Sequence, residues 1–250
     1  MNLLTLARDL RRRRARERQG LFVSEGIRTV EELVRSPLRV VGALASPRLA
    51  ETERGRALRD ELARRAVRMA EVTEHEFESA SDTDTPQGVL AVAEVPERSL
   101  SAVDPVGIVL LLDGVQDPGN TGTILRTAAA LGASATVALP GTVDLWNAKV
   151  VRSAMGAHFR HPAFHANWDD ASRFLRERRI PLWAADAAGE PLGALRAPSP
   201  LALAVGNEGA GLGADVRGAA ERFVSLPVSS EVESLNVAVA AGILLYELRA

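Results

Sequence analysis

The chain has 250 residues, 46% apolar and 25% charged, with a net charge of −2 and no cysteine. That length accommodates one large domain or two ordinary ones, and the missing cysteines exclude disulfides, a thiolate zinc site and a cysteine nucleophile. No run reaches the roughly 18 to 20 apolar residues of a membrane span. The opening "MNLLTLARDLRRRRARERQG" has too short an apolar patch for a signal peptide, with its arginines after the patch, so a cytoplasmic protein is expected.

The net charge hides an asymmetry. Residues 1–70 carry 17 arginines against nine acids, residues 71–100 one arginine against eight acids, and the remainder is nearly balanced. Arginine clusters attract phosphates and stack on bases, so Arg11, Arg12, Arg13, Arg14 and Arg16 are candidate nucleic-acid contacts; a solvated helix face is the alternative, and the one a charge run by itself favours. Lys149 is the only lysine.

In chain order, a basic helix is expected to about Arg18, then a strand, "LFVSEG", and a helix, "IRTVEELVR", ended by Pro37. "LRVVGALAS" reads as a strand and "RLAETERGRALRDELARRA" as an amphipathic helix. "VRMAEV", a short helix capped by Thr73, and "GVLAVAEV" complete a small α/β unit. Residues 1–95 are therefore expected to form one domain and 96–106, bracketed by Pro96 and Pro105, a linker.

The pattern then restarts over 107–250. "VGIVLLLDG" and "LALAVGNEG" are solid apolar runs, as in strands of a mostly parallel sheet covered by helices on both faces. "SATVALP", "PLWAAD" and "RFVSLPV" are further strands, and helices are expected at 120–132, 147–155, 169–179, 213–220 and 236–249. His158, His161 and His165 read as lying on one strand and its exit, without helical metal-ligand spacing, so no metal site is expected.

Three strand ends carry unusual loops. "DGVQDPGNTGTILRTAAALGA" contains Asn120 and Arg126, "AVGNEGAGLGADV" contains Glu208 among four glycines, and "SLPVSSEVESLNVAVAAGILLYELRA" contains Ser234 and Asn236. The first lacks the ending of a P-loop, and the second is not the dinucleotide fingerprint. Singly, each loop is explained by tight turns, and Ser234 by helix capping with Asn236 in the first turn. Arg126, among Ile, Leu, Ala and Thr, is expected to be partly buried and to need a polar partner. Together the loops offer a guanidinium, a carboxylate, two amides, a hydroxyl and many backbone groups. That inventory suits a nucleoside-like ligand and suits hydrolysis poorly.

These segments resemble the three motifs of the SpoU/TrmH family of RNA ribose 2′-O-methyltransferases, within the SPOUT class: "DPGNTGTILRTAAALGA", "LAVGNEGAGLG" and "LPVSSEVESLNVAVAAGILLYEL". "NAKVVRSAMGAHFRHP" resembles the family's segment between the first two. "FVSEGIRTVEELV" and "DTPQGVLAV" resemble the substrate-binding domain that many members carry. The resemblance implies an α/β catalytic domain over 107–250 with a deep trefoil knot, S-adenosylmethionine as cofactor, a homodimer with its site near the subunit interface, and RNA as partner, ribosomal rather than transfer RNA. It places Gly206, Leu226 and Leu235 at the cofactor, and Asn120, Arg126, Glu208, Ser234 and Asn236 at catalysis or substrate. Arg126 would activate the ribose hydroxyl. With a guanidinium pKa above about 12, alkoxide stabilisation suits it better than proton abstraction. A non-catalytic RNA-binding protein and a nicotinamide-dependent oxidoreductase are the competing readings; the intact polar motif residues oppose the first and the missing fingerprint the second.

Overall fold

The computed structural model describes residues 2–229 and 234–249. The chain divides into two compact units, Met1–Glu97 with Trp146–Arg160, and Arg98–Leu145 with His161–Ala250. Stretch 146–160, which lies in sequence between two strands of the second unit, thus folds with the first.

In the first unit the expected single basic helix is two, α1 (Leu3–Asp9) and α2 (Arg13–Gln19). Arg16 explains the break: its buried guanidinium donates to the carbonyls of Leu10 and Arg11 at 2.7 and 2.9 Å, satisfying groups that a helix end leaves open. Strands β1 (Leu21–Glu25), β2 (Val40–Ala45), β3 (Met69–Glu71) and β4 (Val89–Glu94) form a sheet of order β1-β4-β2-β3, with β2 and β3 parallel and the other pairs antiparallel. Helices α3 (Ile27–Arg35), α4 (Glu53–Arg64) and α5 (Glu74–Ala80) complete it. Thr73 caps α5 in a reciprocal box with Glu76. Leu3, Leu4, Leu6 and Leu10 are core residues beside Phe77 and Leu90. The N-terminus is therefore a structural element as well as a charged one.

Stretch 146–160, with α7 (Ala148–Ser153), closes this unit through an aromatic cluster. Phe22 lies 4.5 Å from Trp146 and 5.7 Å from Phe159, and the His158 ring packs at a tilt against Trp146 and Phe159. The histidine reading needs correcting accordingly: His158 sits in a short 3-10 turn, His161 in a turn, and only His165 lies on strand β7 (Ala163–His165).

The second unit holds six parallel strands in the order β10-β8-β9-β5-β6-β7: β5 (Ile108–Asp113), β6 (Ala135–Ala138), β7, β8 (Leu182–Pro191), β9 (Leu201–Gly206) and β10 (Arg222–Ser225). Alternation along β5 shows how a solid apolar run serves two cores. Val109 and Leu111 face a core with α8 (Trp168–Arg178) and α9 (Ala214–Ala219). Ile108, Leu110 and Leu112 face another with α6 (Pro118–Ala130) and α10 (Val237–Leu248). Helices thus cover both faces. From β5 the chain winds outward through β6 and β7, then returns so that β9 lands beside β5, with Gly206 opposite Asp113. Loops after adjacent parallel strands that leave in opposite directions form a crevice, the usual ligand position in such sheets.

His161 gives this unit an acid sensitivity. Its Nε2 lies 2.9 Å from Thr136 Oγ1, Arg98 donates to its carbonyl, and burial together with the Arg98 charge pushes its pKa down to about 4. The unfolded chain takes up this proton as pH falls below about 6.5, whereas the fold resists it down to about 4. Stability should therefore be full above pH 6.5 and decline toward pH 4, by an amount on the order of 3 kcal/mol. Urea midpoints measured across this range should fall less steeply in His161→Gln; parallel curves would assign the decline to other groups.

Candidate functional site

The site is built where β5 and β9 end. Gly114, at φ +75°, turns the chain off β5, and its N–H donates to Thr142 Oγ1 at 3.0 Å. Asp117 then caps α6, its Oδ1 accepting the Asn120 N–H at 2.7 Å, and Pro118 takes the first helical position, where no N–H is required.

After β9 the chain makes a closed loop. Asn207 and Gly211 exchange backbone hydrogen bonds at 2.9 and 3.0 Å, and Asn207 Oδ1 accepts the N–H groups of Gly209 and Ala210. Asn207 Nδ2 reaches the Gly114 carbonyl at 2.8 Å, and Asp113 Oδ2 accepts the Gly213 N–H at 2.6 Å, so the two loops are sewn together.

The Glu208 carboxylate makes the decisive tie. It accepts the backbone N–H of Gln116 at 3.2 Å and of Asp117 at 3.1 Å, and the side-chain amide of Asn120 at 3.1 Å. Burial alone would favour the neutral acid; the hydrogen bonds from Asn120 and the backbone outweigh it and hold the pKa below the ordinary value. Asn120 Oδ1 in turn accepts from Asn236 Nδ2 at 2.9 Å, and Asn236 Oδ1 accepts the N–H groups of Ala238 and Val239. One directed chain therefore runs from Glu208 through Asn120 and Asn236 into the first turn of α10. It also corrects the capping expectation: Asn236, not Ser234, is the N-cap, and Ser234 lies exposed two residues earlier. Residues 230–233 of the third motif lie outside the described residues.

Beside this chain lies a cavity of about 580 Å³, lined by Gly206, Glu208, Leu226, Ser234, Leu235 and Asn236 among others. Its size suits a small-molecule ligand. A Cβ on Gly206 would sit 2.4 Å from the Gly211 carbonyl carbon and 2.6 Å from the Leu212 nitrogen, so only glycine permits the close turn of the loop. Two lining residues escaped the sequence reading: Asp186 and Arg217 pair at 2.6 Å on the rim. Asp186 sits in an apolar strand with no motif around it, so nothing in the sequence singles it out.

Asn120 joins the site through its hydrogen bonds; Arg126 stands apart. It lies on α6 about 9 Å further along the axis and is exposed, against the expected burial, with no side-chain partner among the described residues. Ile124, Leu125 and Ala128 take the covered face instead. Of the N-terminal arginines, Arg12 pairs with Asp9 and Arg13 with Glu17, Arg11 reaches the Ser79 carbonyl, and Arg14 is exposed. Arg16 is turned inward, its guanidinium bound to the Leu10 and Arg11 carbonyls. Among the described residues no group of three or more His, Asp or Glu is placed to hold a metal ion.

The second unit is thus a parallel α/β sheet with interlocked loops around a cavity at its switch point, an architecture whose crevice commonly takes a ligand, and the first is a smaller α/β unit. The chain belongs to the SpoU rRNA methylase family, whose model matches residues 107–246. Residues 5–91 match an MRM3-like substrate-binding domain. The chain is 35% identical to the 23S rRNA (guanosine(2553)-2′-O)-methyltransferase RlmP of Bacillus subtilis, over 97% of this chain and 94% of that protein. Its fold is similar to that of the SpoU methyltransferase AviRb of Streptomyces viridochromogenes in complex with AdoMet, with a TM-score of 0.87, 28% identity and coverage of 99% and 97%. An AdoMet-bound rRNA methyltransferase of Sinorhizobium meliloti matches with a TM-score of 0.84, 28% identity and coverage of 98% and 93%.

Gly206→Ala should force open the closed loop after β9, costing about 1–3 kcal/mol, or several degrees in melting temperature. Gly209→Ala, whose Cβ would meet only Asn207 Oδ1 at 3.7 Å, should melt close to the parent. Equal melting temperatures for the two variants would refute the close-approach argument.

Proposed function

We propose that this chain transfers a methyl group from S-adenosylmethionine to a ribose 2′-hydroxyl of ribosomal RNA. The observation that carries the reading is the Glu208–Asn120–Asn236 chain beside a glycine-walled cavity, in a member of this family. Similarity to a ribosomal RNA enzyme along nearly the whole chain favours ribosomal over transfer RNA.

The cavity fits the cofactor. It has the volume, the close backbone approach at Gly206, apolar contacts from Leu226 and Leu235, and polar groups from Ser234 and Asn236. The cofactor, when bound, supplies a methyl group already made electrophilic by its sulfonium. The protein's task is then placement and charge. Glu208, ionised and saturated with donors, acts on the loops rather than as a base. Asn120 and Asn236 hold the start of α6 against the start of α10. Arg126, exposed on α6, meets the ribose hydroxyl and stabilises the developing alkoxide, while a neighbouring phosphate or water takes the proton. Ser234 orients the ribose at the rim.

Three further features belong to this reading. Residues 107–250 act as the catalytic domain, except that stretch 146–160 packs into the first unit, and 1–95 act as the RNA-binding domain, joined by 96–106. The catalytic domain carries the trefoil knot of its class. The enzyme is a cytoplasmic homodimer, supported by the exposed apolar line Leu235, Val239, Ile243 and Tyr246 at α10, a face that a second copy would cover. For RNA, exposed Arg11 to Arg14 supply the non-specific attraction.

Incubation with methyl-labelled S-adenosylmethionine and separate pools of unmodified ribosomal and transfer RNA tests the reading. Alkali-resistant label is expected in ribosomal RNA; label in transfer RNA alone would change the substrate class, and absence of cofactor binding would overturn the activity. Arg126→Ala should lower kcat about 100- to 1,000-fold with cofactor affinity unchanged, and near-parental turnover would remove Arg126 from the chemistry. Deleting residues 1–18 cannot isolate the N-terminal charge, because it strips the core leucines of α1. Arg13→Ala/Arg14→Ala should instead weaken RNA binding and reduce its salt dependence without shifting the melting temperature.

A further inference from the structure

The second unit has another cavity, of about 510 Å³, which shares no lining residue with the one beside Gly206. Its lining follows α8, from Trp168 just past the end of β7 to Arg179 and Pro181 ahead of β8, with Glu221 ahead of β10.

The walls combine two chemistries. Trp168, which also packs on the core, Leu175 and Pro181 give it apolar lining, and Arg176 and Arg179 line it too, with Glu221 as the one carboxylate. The two arginines differ from their neighbours on the same helix. Arg173 is bound to Asp170, and Arg178 lies over the Phe174 ring at 5.9 Å. Neither Arg176 nor Arg179 has a side-chain partner among the described residues. Arg179 moreover occupies the left-handed position that ends α8, at φ +53° and ψ +44°. Glycine or asparagine is the usual residue there, since a Cβ is disfavoured in that conformation. An arginine in that position, lining the cavity and without a side-chain partner among the described residues, is placed for a ligand rather than for the helix.

We propose that this cavity is a second RNA-binding site, taking an unpaired nucleotide whose base stacks on Trp168 and whose flanking phosphates meet Arg176 and Arg179. An indole on an apolar floor accepts any base face, and two unpaired guanidinium groups complement the backbone charge. The proposal rests on the RNA-modifying reading above. Sharing no residue with the cavity beside Gly206, the site engages a part of the substrate other than the nucleotide being methylated, and so adds affinity without entering the chemistry.

The test is titration of the full chain with an unmodified large-subunit ribosomal RNA transcript over a range of salt concentrations, following tryptophan fluorescence. Arg176→Ala/Arg179→Ala should weaken binding at least ten-fold and lower the slope of log affinity against log salt by about 1.4, the value for two phosphates on a single strand. Trp168→Phe should remove most of the fluorescence change, and Trp168→Ala should weaken binding roughly ten-fold. Turnover at saturating RNA and cofactor affinity should stay at parental values in all three variants. If the parent binds the transcript and the double variant shows the same affinity and slope, the second site is refuted and the methyltransferase reading survives. If the parent binds no ribosomal RNA, both fall together.

Discussion

The Glu208 carboxylate makes the most connected tie between the loops at the C-terminal end of the parallel sheet. Glu208 gathers two backbone N–H groups and an amide from the segment after β5, and it does so from the loop after β9, about 90 residues away in sequence. Hydrogen bonds to a charged group contribute about 1.5–3 kcal/mol each when sheltered from water and less when partly exposed, as here. Their larger effect is geometric. With Asn120 fixed by Glu208 on one side and by Asn236 on the other, the start of α6, the glycine loop and the start of α10 share one hydrogen-bond network. A ligand in the adjoining cavity meets a surface already arranged, so little of its binding free energy goes into ordering the loops.

That clasp depends on the sheet. Parallel strands need long crossovers, so the neighbours of β5 come from distant parts of the chain. The return of the chain from β7 to β8 and β9 brings Gly206 opposite Asp113. Burial on both faces holds the strands in register: Leu110 and Leu112 cannot exchange faces with Val109 and Leu111 without repacking two cores at once. The small side of Gly206 then lets the following loop fold back closely enough for Glu208 to reach Gln116 and Asp117.

The first unit shows a different division of labour. Its arginines are numerous, yet their roles diverge within two residues. Arg16 is buried as a cap on the end of α1, while Arg14 faces solvent two residues earlier. Stretch 146–160 contributes Trp146, His158 and Phe159 to the packing around Phe22, so the unit's core is completed by residues from the middle of the chain. The exposed arginine pairs, being i,i+3 or i,i+4 contacts worth a few tenths of a kcal/mol, are readily exchanged for phosphates.

What the amino-acid sequence determined by itself is the set of features governed by near neighbours. The apolar runs of β5 and β9, the Thr73 cap with its Glu76 partner, and the polar loops at Asn120, Glu208 and Asn236 are all legible because period, capping and turn chemistry act within a few residues. The tertiary structure decided what depends on partners far along the chain. It made Asn236 the cap because Asn120 is there to receive its amide, and it left Arg126 exposed because Ile124, Leu125 and Ala128 cover the sheet. It also split the basic helix where Arg16 could turn inward, folded 146–160 into the first unit, and paired Asp186 with Arg217 across the cavity rim. The reason is the same in each case: a side chain's surroundings are supplied by segments that its own neighbourhood does not encode.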